Sequence, residues 1–380
     1  MATARPDPPS PSAALAGVAD LPGRIAALPD AARERAERLW RVEVLTGRTD
    51  PPAEMDAWLV HHFGSVAAVR EQTIVRIQNR WTLDGALFSP LRGRRPIDLL
   101  GEDLLAREAE ATRADPFCSP ETETPADTWG RIRGAHTVTG ANAAKYDGHH
   151  GVIVFDRHDP LAFDEALVVD LLVTGRAWAE REREADPAAW AYLLIWNCGR
   201  RAGGSIVHGH AQVLLGQGAH YARVERLRRD ALAYRSATGR RYLEDLAGAH
   251  RDLGLAIELP GGVVVIASLT PVKERELLVI GSPGMDERDP AFAGAVARTV
   301  VAYRDVLGVR AFNLALQRPP IDPALAGSDG WQDLGPLAHL VDRGNPAVRS
   351  SDIGAMELFA ASVVGSDPFE VAASLRSALT

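Results

Sequence analysis

Apolar residues in "DAARERAERLWRVEVL" and "EMDAWLVHHFGSVAAVREQ" recur at three- and four-residue steps, so residues 21–75 read as helices. From residue 151 the period changes. "GVIVFD" (151–156), "WAYLLIWN" (190–197) and "SIVHGHAQVLL" (205–215) are apolar runs of strand length. "GGVVVIAS", "RELLVIGS" and "AFNLALQ" repeat the pattern between residues 261 and 317. Helical segments lie between them, at 159–185 with an Asp near the start, at 221–254 and at 290–308. Two stretches of similar strand–helix content predict a duplicated α+β unit. The expected organisation is a disordered Pro-, Ala- and Ser-rich lead over 1–20 and a helical N-terminal extension over 21–75. A first half over 76–240 and a second over 241–380 follow.

Composition narrows the function classes. The 380 residues are 46% hydrophobic and 24% charged, an ordinary globular balance. A formal net charge of −8 argues against a nucleic-acid partner. No apolar run reaches membrane-spanning length, and the first residues lack a signal peptide's apolar core. Only Cys118 and Cys198 are present, so a disulfide framework is not expected and a reducing cytoplasm fits.

One strand carries too much polarity to be plain core. If 205–215 is extended, side chains alternate between faces, and His208, His210 and Gln212 share one face while Val207, Ala211 and Val213 share the other. Buried without partners, each polar group costs about 1–3 kcal/mol. A single histidine would read as a satisfied core residue. Three aligned polar groups behind the glycine-rich loop "NCGRRAGGS" read as a site, with backbone N–H groups of the loop forming an anion nest. Ser205 can add a hydroxyl there, and Arg200 and Arg201 can add charge.

The whole run "NCGRRAGGSIVHGHAQ" resembles the active-site signature of the galactose-1-phosphate uridylyltransferase family, a branch of the histidine-triad superfamily. Asn197, Gly199, Gly203, Ser205, His208, His210 and Gln212 match its Asn-x-Gly, Gly-x-Ser and His-x-His-x-Gln spacing without a gap. "SPLRGRRP" (89–96), "DPFCSPETETP" (115–125) and "GHHGVIVFDRHDP" (148–160) are similar to further family segments in the family's order. "AFNLALQRPP" and "IGAMELFAASVVGSDPFEVAASLR" resemble its second half, so the likeness spans about residues 75–380.

The resemblance implies an α+β fold of two histidine-triad-like halves, each an antiparallel sheet with packed helices, and a nucleotidyltransferase. His210 would be the nucleophile, and Gln212 would hold a phosphoryl oxygen. Arg92, Arg95, Asn142, Asn197, Gly203, Gly204 and Ser205 would bind nucleotide and phosphate. A structural zinc would fall to Asp115, Cys118, His158 and His208, with Asp115 standing where the family has a cysteine. A second metal site, built in some relatives from a late His-x-His, has only His339. His150 fits the family block and is expected to line the site. The implied partners are a nucleotide sugar and a phosphate or sugar phosphate, in a homodimer. Gln212 cannot act as a general acid or base, which favours phosphate acceptors over water. A phosphorylase splitting nucleoside-diphosphate sugars or dinucleoside polyphosphates, and a non-catalytic nucleotide-binding protein, are the competing readings.

Overall fold

The computed structural model describes residues 17–94, 104–327, 330–348 and 350–380. Most of the expected lead lies outside these residues. Its end does not: Val18 is buried, and its N–H donates to the Asp367 carboxylate at 2.8 Å.

The strands, in chain order, are β1 (Trp40–Arg48), β2 (Glu71–Asn79), β3 (Gly85–Phe88), β4 (Thr137–Ala141), β5 (His149–Phe155), β6 (Ala189–Cys198), β7 (His210–Gln217), β8 (Ala256–Leu259), β9 (Val263–Ala267), β10 (Glu274–Ile280), β11 (Phe312–Gln317), β12 (Leu337–Asp342) and β13 (Ser362–Val364). Nine of them form one antiparallel sheet in the order β4-β5-β7-β6-β11-β12-β10-β9-β8. The duplication is visible in that order. Each half is hairpin, helix, hairpin, ordered β4-β5-β7-β6 in one and β9-β10-β12-β11 in the other. The halves meet edge to edge where β6 pairs with β11, so they share one sheet.

Each half's crossover helix forms for local reasons. Asp164 accepts from the Leu167 N–H at 2.9 Å and caps helix Glu165–Ala185. Leu167, Val168, Leu171, Leu172, Trp178 and Ala179 then follow at helical spacing and are buried. Asp289 caps helix Pro290–Asp305 in the same way, with proline at its first position. Both helices cover the sheet face that carries Ala211, Val213 and Leu215, with Trp178 and Trp196 in the core between them.

The extension over 21–75 is helical only in part. Leu21–Ala26, Asp30–Leu39 and Asp56–Phe63 are helices, but Trp40–Arg48, read in the sequence as a continuing helix, is β1. It pairs along its full length with β2, from Trp40 with Asn79 to Arg48 with Glu71. That backbone pairing overrides a marginal helical period. β1, β2, β3 and β13 form a second sheet, antiparallel except for the parallel β3–β13 pair.

His149 clasps β5 to the long helix of the first half. Its Nδ1 lies 2.6 Å from Glu182 and its Nε2 2.9 Å from Asp186. Burial works against the charged ring, but the hydrogen bonds and charges of Asp186 and Glu182 outweigh it and raise the pKa. A raised histidine pKa stabilises the fold fully below the unfolded value near 6.5, and that stabilisation is lost as pH climbs through the folded value. Melting curves of wild type and His149→Gln are therefore expected to differ most at pH 5.5–6 and to converge on the alkaline side. A gap that stays constant, or widens with pH, contradicts the clasp.

Candidate active site and metal cluster

His210 and Gln212 lie on the sheet face opposite the core of the crossover helices, as their alternation with Ala211 and Val213 requires. His208 does not share that strand. The strand begins at His210; just before it the Gly209 carbonyl still accepts from the Phe155 N–H at 2.9 Å, and packing is tight enough that a Cβ at Gly209 would meet the Phe155 ring at 2.7 Å. The His208 ring turns instead toward Asp115, Cys118 and His158.

The His210 tautomer follows from its neighbour. Nδ1 lies 2.8 Å from the His208 carbonyl, which can only accept, so Nδ1 carries the hydrogen and Nε2 keeps its lone pair. Burial lowers the pKa of His210, keeping the ring neutral near pH 7. The Phe117 ring meets it edge-on at 4.9 Å. Nothing in the residue pattern of 115–118 had marked Phe117 as a neighbour of the motif.

The glycine-rich loop is tied down rather than open. Ala202 and Gly204 donate to the Gly199 carbonyl and Gly203 to that of Arg200, so these N–H groups are engaged inside the loop and do not form the expected anion nest. Gly203 sits at φ +96°, a conformation that favours glycine. Ser205 is exposed at the loop's end. Arg201 donates to the carbonyls of Arg343 (2.6 Å), Val348 (2.9 Å) and Ser350 (2.9 Å). Its charge anchors the second half instead of facing a phosphate.

Asn197 is held from the second half too. Asn313 Nδ2 donates to Asn197 Oδ1 (2.7 Å) and to the Ala202 carbonyl (2.8 Å). Asn313 in turn accepts from Arg343 (2.6 Å), which pairs through two nitrogens with Asp352. Asn313 and Arg343 act on the site only because β6 and β11 are neighbours, and nothing in the local sequence signals that.

Asn142 follows β4, and its Nδ2 lies 3.2 Å from His150 Nε2. Arg92 is exposed on the turn Pro90–Arg94, where its charge acts on Glu357. Arg95 lies outside the described residues.

Asp115, Cys118, His158 and His208 each offer a ligand atom, all within 4.8 Å of one another. His208 Nε2 lies 2.9 Å from the Phe155 carbonyl and so carries its hydrogen, leaving the Nδ1 lone pair for the cluster. His158 Nε2 faces Thr112 Oγ1, whose own hydrogen goes to the Glu108 carbonyl. His158 therefore also presents a bare Nδ1. The two Nδ1 atoms are 3.2 Å apart, and Cys118 Sγ lies 3.2 and 3.5 Å from them. Two lone pairs at that distance repel unless a cation or proton sits between them. A tetrahedral zinc site would space its ligand atoms by about 3.3–3.8 Å. Asp115 adds Oδ1 at 3.7 Å from the sulfur, while its Oδ2 is buried without a hydrogen-bond partner. The donor set fits a divalent cation with N and S preference, and both imidazoles have the outer hydrogen bonds that such ligands use. Among the described residues this is the one cluster of that kind. His339 pairs with Glu276 at 3.2 Å and borders a separate cavity of about 330 Å³ between the second half and the helix Ala222–Thr238, lined also by Arg226, Gln317, Leu278 and Leu246.

Two hairpin–helix–hairpin halves in one sheet, with a His-x-His-x-Gln segment entering its β7, make a fold that this chain shares with solved uridylyltransferase and phosphorylase structures. The structure is similar to an ADP-glucose phosphorylase from Arabidopsis thaliana solved with bound ADP-glucose (TM-score 0.58, 16% identity, 77% of this chain and 95% of that one). It is also similar to a galT-like protein from Arabidopsis thaliana (TM-score 0.55, 15% identity, 70% and 92%) and to a uridylyltransferase (TM-score 0.53, 17% identity, 67% and 88%). No family model and no curated protein sequence matches the chain. Among the described residues, no helix is long and apolar enough to cross a membrane.

Proposed function

We propose that this chain is a nucleotidyl-transferring enzyme that moves a nucleoside monophosphate between phosphorylated compounds through a covalent bond to His210. The observation that carries this reading is the neutral, buried imidazole whose Nδ1–H is fixed on the His208 carbonyl and whose Nε2 keeps its lone pair. Nε2 attacks the α-phosphorus of a nucleoside-diphosphate compound. The bond to the bridging oxygen breaks, and a sugar phosphate or similar anion leaves. An oxygen of a second phosphate then attacks the same phosphorus and returns the electron pair to Nε2. The positive ring of the intermediate is stabilised by the His208 carbonyl, which already holds its Nδ1–H.

Gln212 supplies an amide donor to the phosphoryl oxygens and no proton, which suits leaving groups and acceptors that need none. Gln212→Ala is expected to lower kcat by about 10²–10³, the loss typical of one transition-state donor, while covalent labelling persists at a reduced rate. An unchanged kcat in single-turnover assays removes Gln212 from this role.

The acceptor is either a sugar phosphate, as in a uridylyltransferase, or inorganic phosphate, as in a phosphorylase. The likeness to ADP-glucose phosphorylase keeps the second acceptor in view. Incubation with UDP-glucose, ADP-glucose, GDP-sugars and a dinucleoside tetraphosphate, each with phosphate or with a sugar 1-phosphate, separates the two. Cleavage of none of these donors defeats the proposal. We assign the Asp115–Cys118–His158–His208 cluster to a structural zinc. Its role would be to hold the residue-115 loop, and with it Phe117, against the motif.

A further inference from the structure

We infer that His150 is a positioning residue for Gln212: its Nε2–H holds the Gln212 carbonyl oxygen and so presents the Gln212 NH₂ to the phosphoryl group carried by His210. The inference rests on the role of Gln212 proposed above.

His150 is fully buried on β5, next to β7 in the sheet. Its Nδ1 lies 3.0 Å from the Tyr146 backbone nitrogen. A backbone N–H is always a donor, so Nδ1 must accept. In a neutral ring the hydrogen is then on Nε2, which lies 2.8 Å from Gln212 Oε1. Only the oxygen of the Gln212 amide can accept that hydrogen. Its nitrogen must point away from His150, so an amide that could otherwise flip is fixed by a chain of two hydrogen bonds starting at the backbone.

Asn142 supplies the alternative. Its Oδ1 accepts from the Ala144 N–H at 2.9 Å, which leaves Nδ2 3.2 Å from His150 Nε2. The opposite ring tautomer would satisfy Asn142. It would also set Nδ1–H against the Tyr146 N–H at 3.0 Å and require Gln212 to turn its NH₂ inward. The observed set keeps the two shorter contacts. Burial lowers the His150 pKa, which disfavours the doubly protonated ring. The residue is also fixed around its edges: Lys145 Nζ donates to its carbonyl at 2.9 Å, and the Tyr146 ring lies over the imidazole at 4.5 Å.

Two measurements test this. Long-range ¹H–¹⁵N histidine NMR on the full chain at pH 7, without substrate, is expected to show His150 hydrogen-bearing at Nε2 and bare at Nδ1. A ring protonated at Nδ1 overturns the inference. In the kinetic arm, with whichever sugar nucleotide is turned over in the presence of phosphate, His150→Phe is expected to lower kcat about tenfold, less than loss of the donor itself, with KM within about threefold. His150→Gln keeps a donor and is expected to recover most of that loss. In a Gln212→Ala background, His150→Phe should cost nothing more, because the group it positions is gone. A fully additive loss, or a His150→Phe enzyme as fast as wild type, shows a structural role only. If the Phe variant does not fold, the NMR result and the His150→Gln enzyme decide. If no nucleotide donor is turned over, the proposed function falls, while the tautomer is still settled by NMR.

Discussion

His210→Ala is expected to abolish turnover, with a loss of about 10⁴-fold or more, because a missing covalent nucleophile removes the pathway rather than one contact within it. The fold should survive. His210 lies at the start of β7, and the core residues Ala211, Val213 and Leu215 on the other face are untouched. Steady-state kinetics with the donor found in the substrate screen, together with a melting curve, checks both halves of this expectation. A folded His210→Ala enzyme within about tenfold of wild type would leave no covalent role for this residue.

Loss of the cation is the second large effect. Cys118→Ser or His158→Ala is expected to purify without the roughly one zinc per chain predicted for wild type. A ligand held at about a thousand times its dissociation constant contributes about 4 kcal/mol, so melting should fall by about 5–10 °C. Without the ion the Cys118 thiol is pushed up by burial and by the Asp115 carboxylate, and the two bare imidazole nitrogens lose the charge between them. Elemental analysis and melting with and without a chelator read this independently of activity. Wild type that holds no metal, with a melting point unmoved by chelator or by Cys118→Ser, removes the site.

The sequence revealed chemistry where a residue's role depends on near neighbours. His210 and Gln212 could be placed on one face because strand alternation is local. The helix read over 159–185 ends where expected, at Ala185, but begins only at Glu165, where Asp164 caps it. Where partners lie far along the chain, a local reading has no purchase. β1 becomes a strand only because β2, some thirty residues on, pairs with it. Asn313 reaches Asn197 across 116 residues through an edge pairing between the two halves. His208 carried the right residue type for two roles. Its place in the Asp115–Cys118–His158 cluster depends on residues that lie 50 or more positions away and is not written in the strand itself. The glycine loop misled for a related reason. Glycine content permits inward N–H groups, but those of Ala202, Gly203 and Gly204 are taken by carbonyls of the loop itself.

The central claim is a bond between His210 and a nucleotide, and intact-protein mass spectrometry tests it most directly. The chain is incubated with its donor alone, in the absence of any phosphate acceptor, and quenched at alkaline pH, where a phosphoramidate survives. The predicted result is a gain of one nucleoside monophosphate per chain. The adduct should map to the peptide containing His210, vanish on acid treatment, and be released when phosphate or sugar phosphate is added. Turnover of the same donor with no adduct on His210 at any time point, or an adduct retained in His210→Ala, would contradict the account.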